Sequence, residues 1–196
     1  MAGDPLAAVV LDALGAPRDA GLDHAVGAGA AQRLRAELRA VARRWVADLA
    51  PGRAFEATTT GAAAMALHDH AGPVVLIAPD VPMLSAAHAA LVTSDLADGV
   101  GLLVAASHDA SPYLFALPAA DPDLIDLAVA TLPELLAAAA ERQLAVAVGR
   151  PERRLVSADD ARALAVDPLA PAALVAQLGN LRSLVPRSGA STAEIG

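Results

Sequence analysis

The sequence predicts an α/β protein, a single domain with a mostly parallel sheet and helices on both faces. Three observations carry this. Short apolar runs alternate with longer segments of helical periodicity. The run Val74–Ala78 (VVLIA) is apolar without a break, as in a strand buried on both faces and parallel to its neighbours. No internal repeat or linker interrupts the 196 residues, a length that suits one domain with a sizeable core.

The elements follow in order. Leu6–Leu11 (LAAVVL) reads as a first strand, and the Gly/Pro/Asp-rich stretch 15–29 reads as a loop. Ala30 to Leu49 places Leu34, Leu38, Val41, Trp45 and Leu49 at helical spacing and stops at Pro51-Gly52. Ala54–Thr58 is a weak strand, and Gly61 to His70 a helix. After the Val74–Ala78 strand, a helix that Ser85 can cap runs to about Ala97. Val100–Ala105 and Tyr113–Leu117 are strands, Asp121–Ala130 and Pro133–Arg142 helices, and Leu144–Val148 a strand. Ala158 to Val166 and Pro171 to Leu178 are short helices. Residues 1–185 are expected to form the domain. The polar, aperiodic segment 186–196 is expected to be a disordered tail.

Composition narrows the chemistry. Aromatic residues are 2% of the chain, so the core must be built from Ala, Leu and Val. Net charge is -8, which argues against a nucleic-acid surface. Arg33, Arg35, Arg39, Arg43 and Arg44 share a predicted helix with Glu37 and Asp48 and read as a solvated face. The absence of Cys excludes thiolate metal sites and Cys nucleophiles. The 14 basic residues are all Arg, so a phosphate contact must use Arg or backbone N–H groups. No stretch reaches the ~18 uninterrupted apolar residues of a membrane span, and a cytoplasmic location is expected.

Ligands of open α/β sheets bind outside the carboxyl ends of the strands. The Val74–Ala78 strand runs into Pro79-Asp80-Val81-Pro82, where two prolines fix a carboxylate at little entropic cost. Asp80 there could bind a cation or a nucleotide, or simply bond backbone N–H groups in a rigid turn. The loop Ser107-His108-Asp109-Ala110-Ser111-Pro112-Tyr113 could form a small polar site at the same edge, or a hairpin-like turn with Asx bonding. His68 and His70 are two apart and cannot both chelate from one helix face, so they read as a polar helix end. Asp159 and Asp160 read as first-turn acids of a helix. Gly27-Ala28-Gly29 lacks a third Gly and reads as helix entry rather than a dinucleotide fingerprint.

Three segments carry a resemblance. In GPVVLIAPDVPMLSAAHAAL (72–91), Asp80, Pro82 and Leu84 fit an apolar strand followed by Gly-x-Asp-x-Pro-x-Leu, with Ala78 in the Gly position. In GLLVAASHDASPYLFAL (101–117), Asp109 and Tyr113 fit Pro-Ala-x-Asp-Gly-Gly-Tyr-x-Leu, with Ala110 and Ser111 replacing the two glycines. In RRLVSADDARALAVDPLAP (153–171), Asp160 and Leu164 fit Asp-x-Asp-Thr-x-x-Asp-Leu, with Arg154 and Val156 in the two leading acidic positions. Over roughly residues 27–178 the chain resembles a bacterial glycosyltransferase-like family of the nucleotide-diphospho-sugar transferase superfamily, of glycosyltransferase-A fold. The 2-phospho-lactate guanylyltransferases are cousins.

The resemblance implies a catalytic Asp109, a nucleotide site of Asp80, Pro82, Tyr113 and Arg18, and a divalent metal (Mg or Mn) on Asp80 and Asp109. It implies a nucleotide or nucleotide-sugar ligand. Arg18 is the only candidate for the family's basic loop after the first strand, and Val156 cannot ligate a metal. A departing diphosphate would then lack compensating charge. The expected function is a divergent nucleotide-sugar or nucleotidyl transferase homologue with weak or lost catalysis. The alternatives are a non-catalytic nucleotide- or protein-binding pseudoenzyme, and a guanylyltransferase of the 2-phospho-lactate type.

Overall fold

A computed structural model describes residues 4–15 and 20–178. Arg18 and the tail from Pro186 lie outside these residues. The strands are β1 (Ala7–Leu11), β2 (Ala54–Ala57), β3 (Val74–Ile77), β4 (Leu102–Ala106), β5 (Pro112–Leu117) and β6 (Val146–Val148). The helices are α1 (Ala20–Val26), α2 (Ala28–Leu49), α3 (Thr60–Ala66), α4 (Ala86–Ala97), α5 (Pro122–Leu127), α6 (Leu132–Glu141), α7 (Ala158–Val166) and α8 (Ala172–Gln177). The strands form one sheet in the order β2-β1-β3-β5-β4-β6.

Every residue of β1, β3, β4 and β5 is buried, so both faces of the central sheet are covered. β3 is central, as its unbroken apolar run requires. It pairs parallel with β1 but antiparallel with β5, which corrects the expectation of parallel neighbours on both sides. The reason is the short connection from β4. The five residues between β4 and β5 suffice for a hairpin, whereas a parallel return needs a crossover of about a dozen or more. β5 therefore folds back beside β4, and its far edge meets β3. β4, β3 and β1 still point the same way, so their carboxyl ends open on one edge.

Two further differences have local causes. The stretch expected as loop contains α1, whose Leu22 is buried in a satellite core despite the surrounding glycines. α3 ends at Ala66, earlier than its sequence suggests. The backbone then turns so that the His70 ring, largely shielded from solvent, lies 3.1 Å from the Pro73 carbonyl oxygen and 3.2 Å from Arg53 Nη1.

α2 explains how the periphery is built. Its 22 residues span about 33 Å. Ala42, Trp45 and Val46 near its carboxyl end pack on the sheet. Ala31, Leu34 and Leu38 on the earlier turns join Leu22, Leu155, Leu164, Leu174 and Leu178 in the satellite core. One apolar stripe thus serves two cores, and the second holds α7, α8 and the segment leading into α7. Leu38→Ala should lower the unfolding free energy by about 2–5 kcal/mol. Urea denaturation measures this, and a loss under about 1 kcal/mol would mean that the satellite core does not stabilise the fold.

Candidate functional site

The site gathers at the common carboxyl edge of β1, β3 and β4. After β1, Asp12–Leu14 make one turn of 3₁₀ helix and the chain passes Gly15. A Cβ at Gly15 would lie 2.8 Å from the Asp12 carbonyl oxygen and 3.2 Å from Pro79 Cγ, so only glycine lets this loop approach the one after β3. After β3, Pro79-Asp80 turn and present the Asp80 carboxylate. Between β4 and β5, Ser107 to Ser111 close a tight turn in which the Ala110 N–H donates to the Ser107 carbonyl and the Ser107 N–H to the Ser111 carbonyl. After β6 comes the segment 152–156, with a bend at Leu155. Glu152 and Arg154 point inward while Arg153 is exposed.

Arg154 is the hub. It is 4% exposed, and its Nε and Nη2 donate to Asp80 Oδ1 and Oδ2 at 2.9 and 2.7 Å. Nη2 also donates to the Leu14 carbonyl at 2.6 Å, and Nη1 to Ser111 Oγ at 2.9 Å. Four of the five N–H groups of a guanidinium are thereby engaged. The Ser111 hydroxyl donates onward to Asp109 Oδ1 at 2.5 Å, the Ser111 N–H donates to the same oxygen at 3.0 Å, and the Ser107 hydroxyl donates there too. The backbone supports this from below, because the Leu155 N–H donates to the Asp80 carbonyl. Leu155 itself packs into the satellite core and so anchors the segment that carries Arg154.

Two clefts flank the hub. One of about 220 Å³ is lined by Leu14, Gly15, Asp109, Ser111, Val129 and Arg154. The other, of about 330 Å³, is lined by Ser107, His108, Asp109, Arg153, Val156 and Asp160 and also reaches Arg154. The larger falls in the range of about 300–1,000 Å³ seen for small-molecule sites. Burial pushes the Asp109 carboxyl up, but the Ser107 and Ser111 hydrogen bonds and the nearby Arg154 charge outweigh it and hold Asp109 below its ordinary value. Asp160 is also held low. Burial opposes this, while the Ser157 N–H and hydroxyl, the Val156 N–H and Arg153 favour its charged form. Ser157 and Asp160 form a reciprocal capping box at the start of α7.

A second buried polar group lies against the Tyr113 ring. The His88 ring meets Tyr113 edge-on with centroids 6.3 Å apart. His88 Nδ1 is 3.0 Å from Ser85 Oγ, and Nε2 lies 3.4 Å from Glu152 Oε1, close enough for an ion pair but without hydrogen-bond geometry. Burial lowers the His88 pKa against the raising effect of Glu152. The Tyr113 hydroxyl donates to the Arg150 carbonyl at 2.7 Å, and burial raises its pKa.

No protein-family model matches the chain, and no curated protein does. Solved structures do. A protein from Desulfovibrio desulfuricans G20, proposed to be a nucleotide-diphospho-sugar transferase, superposes with a TM-score of 0.67 over 91% of this chain and 95% of that one, at 16% identity. The chain has the nucleotide-diphospho-sugar transferase fold. Rv0371c from Mycobacterium tuberculosis H37Rv matches at a TM-score of 0.44, and its complex with manganese at 0.43, each at 14% identity over 83% of this chain and 98% of that one.

Within this fold, Asp80 and Asp109 come to one edge and are joined through Arg154 and Ser111. Pro82 is buried in the loop that carries Asp80, and Tyr113 is fully buried with its hydroxyl on a backbone carbonyl; neither lines the two clefts. The residues present do not suit a divalent ion. The guanidinium holds both Asp80 oxygens, position 156 is Val, and among the described residues no three His, Asp or Glu side chains cluster as metal ligands. Arg154 is the residue whose role the sequence did not disclose. The signal was present as a cation standing where an acid is expected, but its partner, Asp80, is 74 residues away. The basic face of α2 also finds carboxylate partners, with Arg39 and Arg43 on Glu56, Arg39 on Asp12 and Arg35 on Asp23.

Ala110 takes a φ of 65°, in the left-handed region that favours glycine. Ala110→Gly should raise stability by up to about 1 kcal/mol, since the relieved strain exceeds the added chain entropy. Thermal unfolding measures it, and a clear loss would show that the turn is not strained. A second expectation concerns acid. Asp109 and Asp160 titrate lower folded than unfolded, so their contribution is present above their ordinary value of 3.8 and is lost as pH falls through the folded values. Urea midpoints should fall between pH 5 and pH 2.5, and less steeply in Ser111→Ala combined with Ser157→Ala. Equal slopes in the two proteins would contradict the assignment.

Proposed function

We propose that the chain is a divergent nucleotide-sugar or nucleotidyl transferase homologue that holds a nucleotide or nucleotide sugar in the two clefts meeting at Asp109 and Arg154, with turnover weak or lost. The observation that supports it is the convergence of Asp80, Asp109 and Arg154 on the carboxyl edge of the sheet, where ligands of open α/β sheets bind. Asp109 is the central candidate. All its hydrogen bonds fall on Oδ1, and among the described residues no donor reaches Oδ2. With its pKa held low, that oxygen is an acceptor at neutral pH, suited to a ribose or sugar hydroxyl and ill suited to donating a proton.

The reading of weak turnover rests on charge. Loss of a diphosphate needs positive charge aimed at the leaving oxygens. Arg154 directs its N–H groups at protein oxygens instead, and Arg153 is paired with Asp160. The same observation favours a second reading, a binder without turnover. A guanylyltransferase activity of the 2-phospho-lactate type meets the same engagement of Arg153 and Arg154 among the described residues.

Thermal unfolding with UDP-, GDP- and dTDP-sugars and GTP tests binding. A ligand at 100 times its Kd stabilises by about 2.7 kcal/mol, a rise of roughly 5–10 °C for this size. At least one nucleotide should give such a rise, and Asp109→Asn should reduce it without unfolding the protein. If no nucleotide shifts the midpoint, the binding reading fails. Rapid sugar-nucleotide hydrolysis that depends on Asp109 would remove the claim of weak turnover.

A further inference from the structure

We propose that Ser85, His88 and Glu152 form a second reactive site, in which the Ser85 hydroxyl is a nucleophile for carboxylic esters. None of the three lines either cleft described above. Ser85 is the N-cap residue of α4, yet its side chain makes no capping hydrogen bond. Its Oγ lies 3.0 Å from His88 Nδ1 instead, while the residue itself stays exposed. His88 is 9% exposed, and its Nε2 lies 3.4 Å from Glu152 Oε1. Glu152 is 7% exposed, and its other charged neighbour is Arg150, with Nε at 3.3 Å. Trp45 Nε1 donates to the Ser85 carbonyl at 2.9 Å and holds the backbone there. Hydroxyl, imidazole and carboxylate thus follow the nucleophile, base and orienting group of serine acyl transfer.

Charge sets the roles. A carboxylate beside Nε2 favours the tautomer with its proton there, which leaves Nδ1 as the acceptor for the Ser85 hydroxyl. Burial lowers the His88 pKa, so the ring is neutral at neutral pH and able to take a proton. As Ser85 Oγ bonds to the ester carbonyl carbon, its proton passes to Nδ1, and Glu152 stabilises the imidazolium. The bond from that carbon to the alcohol oxygen then breaks, and the alcohol leaves with the proton. Water next adds to the acyl carbon, a proton returns through Nδ1 to Ser85 Oγ, and the carboxylic acid departs. Among the described residues no hydrogen bond engages the N–H groups of Ala86 and Ala87, at the start of the 12-residue α4, so they are free to face the oxyanion.

Diisopropyl fluorophosphate on the full chain, read by intact mass and peptide mapping, tests the nucleophile. A single phosphoryl group should appear, on Ser85, as fluoride leaves, and Ser85→Ala should take up none. That variant should fold, since the hydroxyl makes no capping bond. His88→Gln should slow labelling about a hundredfold or more, the range of general-base catalysis. Hydrolysis of p-nitrophenyl acetate should fall in both variants. Glu152 acts through His88 and is a positioning residue. It raises the His88 pKa against the effects of burial and Arg150, with Tyr113 edge-on to the ring. Glu152→Gln should therefore slow labelling and also move its pH midpoint downward, whereas a merely structural Glu152 would leave that midpoint in place. Absence of label on Ser85, label spread evenly over other serines, or equal rates in the native chain and His88→Gln overturns the proposal. If His88→Gln is obtained unfolded, the native pH profile decides. A labelling rate that climbs with pH and levels off below neutrality supports the proposal, and a rate that does not level off, or does not change with pH, overturns it.

Discussion

The ion pair between Arg154 and Asp80 is the constraint around which the carboxyl edge is organised. It joins residues 74 apart and is almost wholly removed from water. Taking two charges out of water is costly, and their attraction offsets that cost only when the geometry is good and the remaining N–H groups find acceptors. Both conditions hold. The pair is bidentate, and the other engaged donors reach the Leu14 carbonyl and Ser111. Net stabilisation from such a pair is small. Loss of one partner would be costly, because it would strand a buried charge with no solvent to replace its bonds.

That constraint depends on the sheet. The order β2-β1-β3-β5-β4-β6 inserts the reversed β5 between β3 and β4, so the turn that carries Asp109 and Ser111 rises beside the loop that carries Asp80. Gly15 lets the β1 loop close in from the other side. The satellite core fixes Leu155 and with it the segment that carries Arg154. Each loop supplies one acceptor, and a single cation ties them together.

Electrostatics then shape what the edge can do. Asp109 is kept charged by two serines and the nearby guanidinium, and it faces both clefts with one oxygen unengaged. The positive charge that diphosphate chemistry needs is turned inward to protein oxygens. Among the described residues, the arginines at this edge, Arg153 and Arg154, are both engaged by protein oxygens, while Asp109 keeps an acceptor facing the clefts.

Much of this was legible in the chain itself. The unbroken VVLIA run fixed β3 as a central buried strand, because no polar face is available to expose. The Leu34, Leu38 and Trp45 spacing marked α2 because a 3.6-residue period brings them to one face. Asp80 and Asp109 stood out as carboxylates released at strand ends. Ala110 and Ser111, standing where glycines are expected, marked the turn where Ala110 is strained and Ser111 relays to Asp109. The antiparallel direction of β5 was not legible, because an apolar strand buried on both faces reads the same in either direction. Nor was α1, whose Leu22 is buried in the satellite core that the earlier turns of α2 and α7 help to form. The sequence determined which segments are strands and helices and which acids leave the sheet, since those follow from local periodicity and turn chemistry. Only the tertiary structure decided that Arg154 reaches back to Asp80, because a partner 74 residues away is chosen by strand order and loop approach, not by any pattern along the chain.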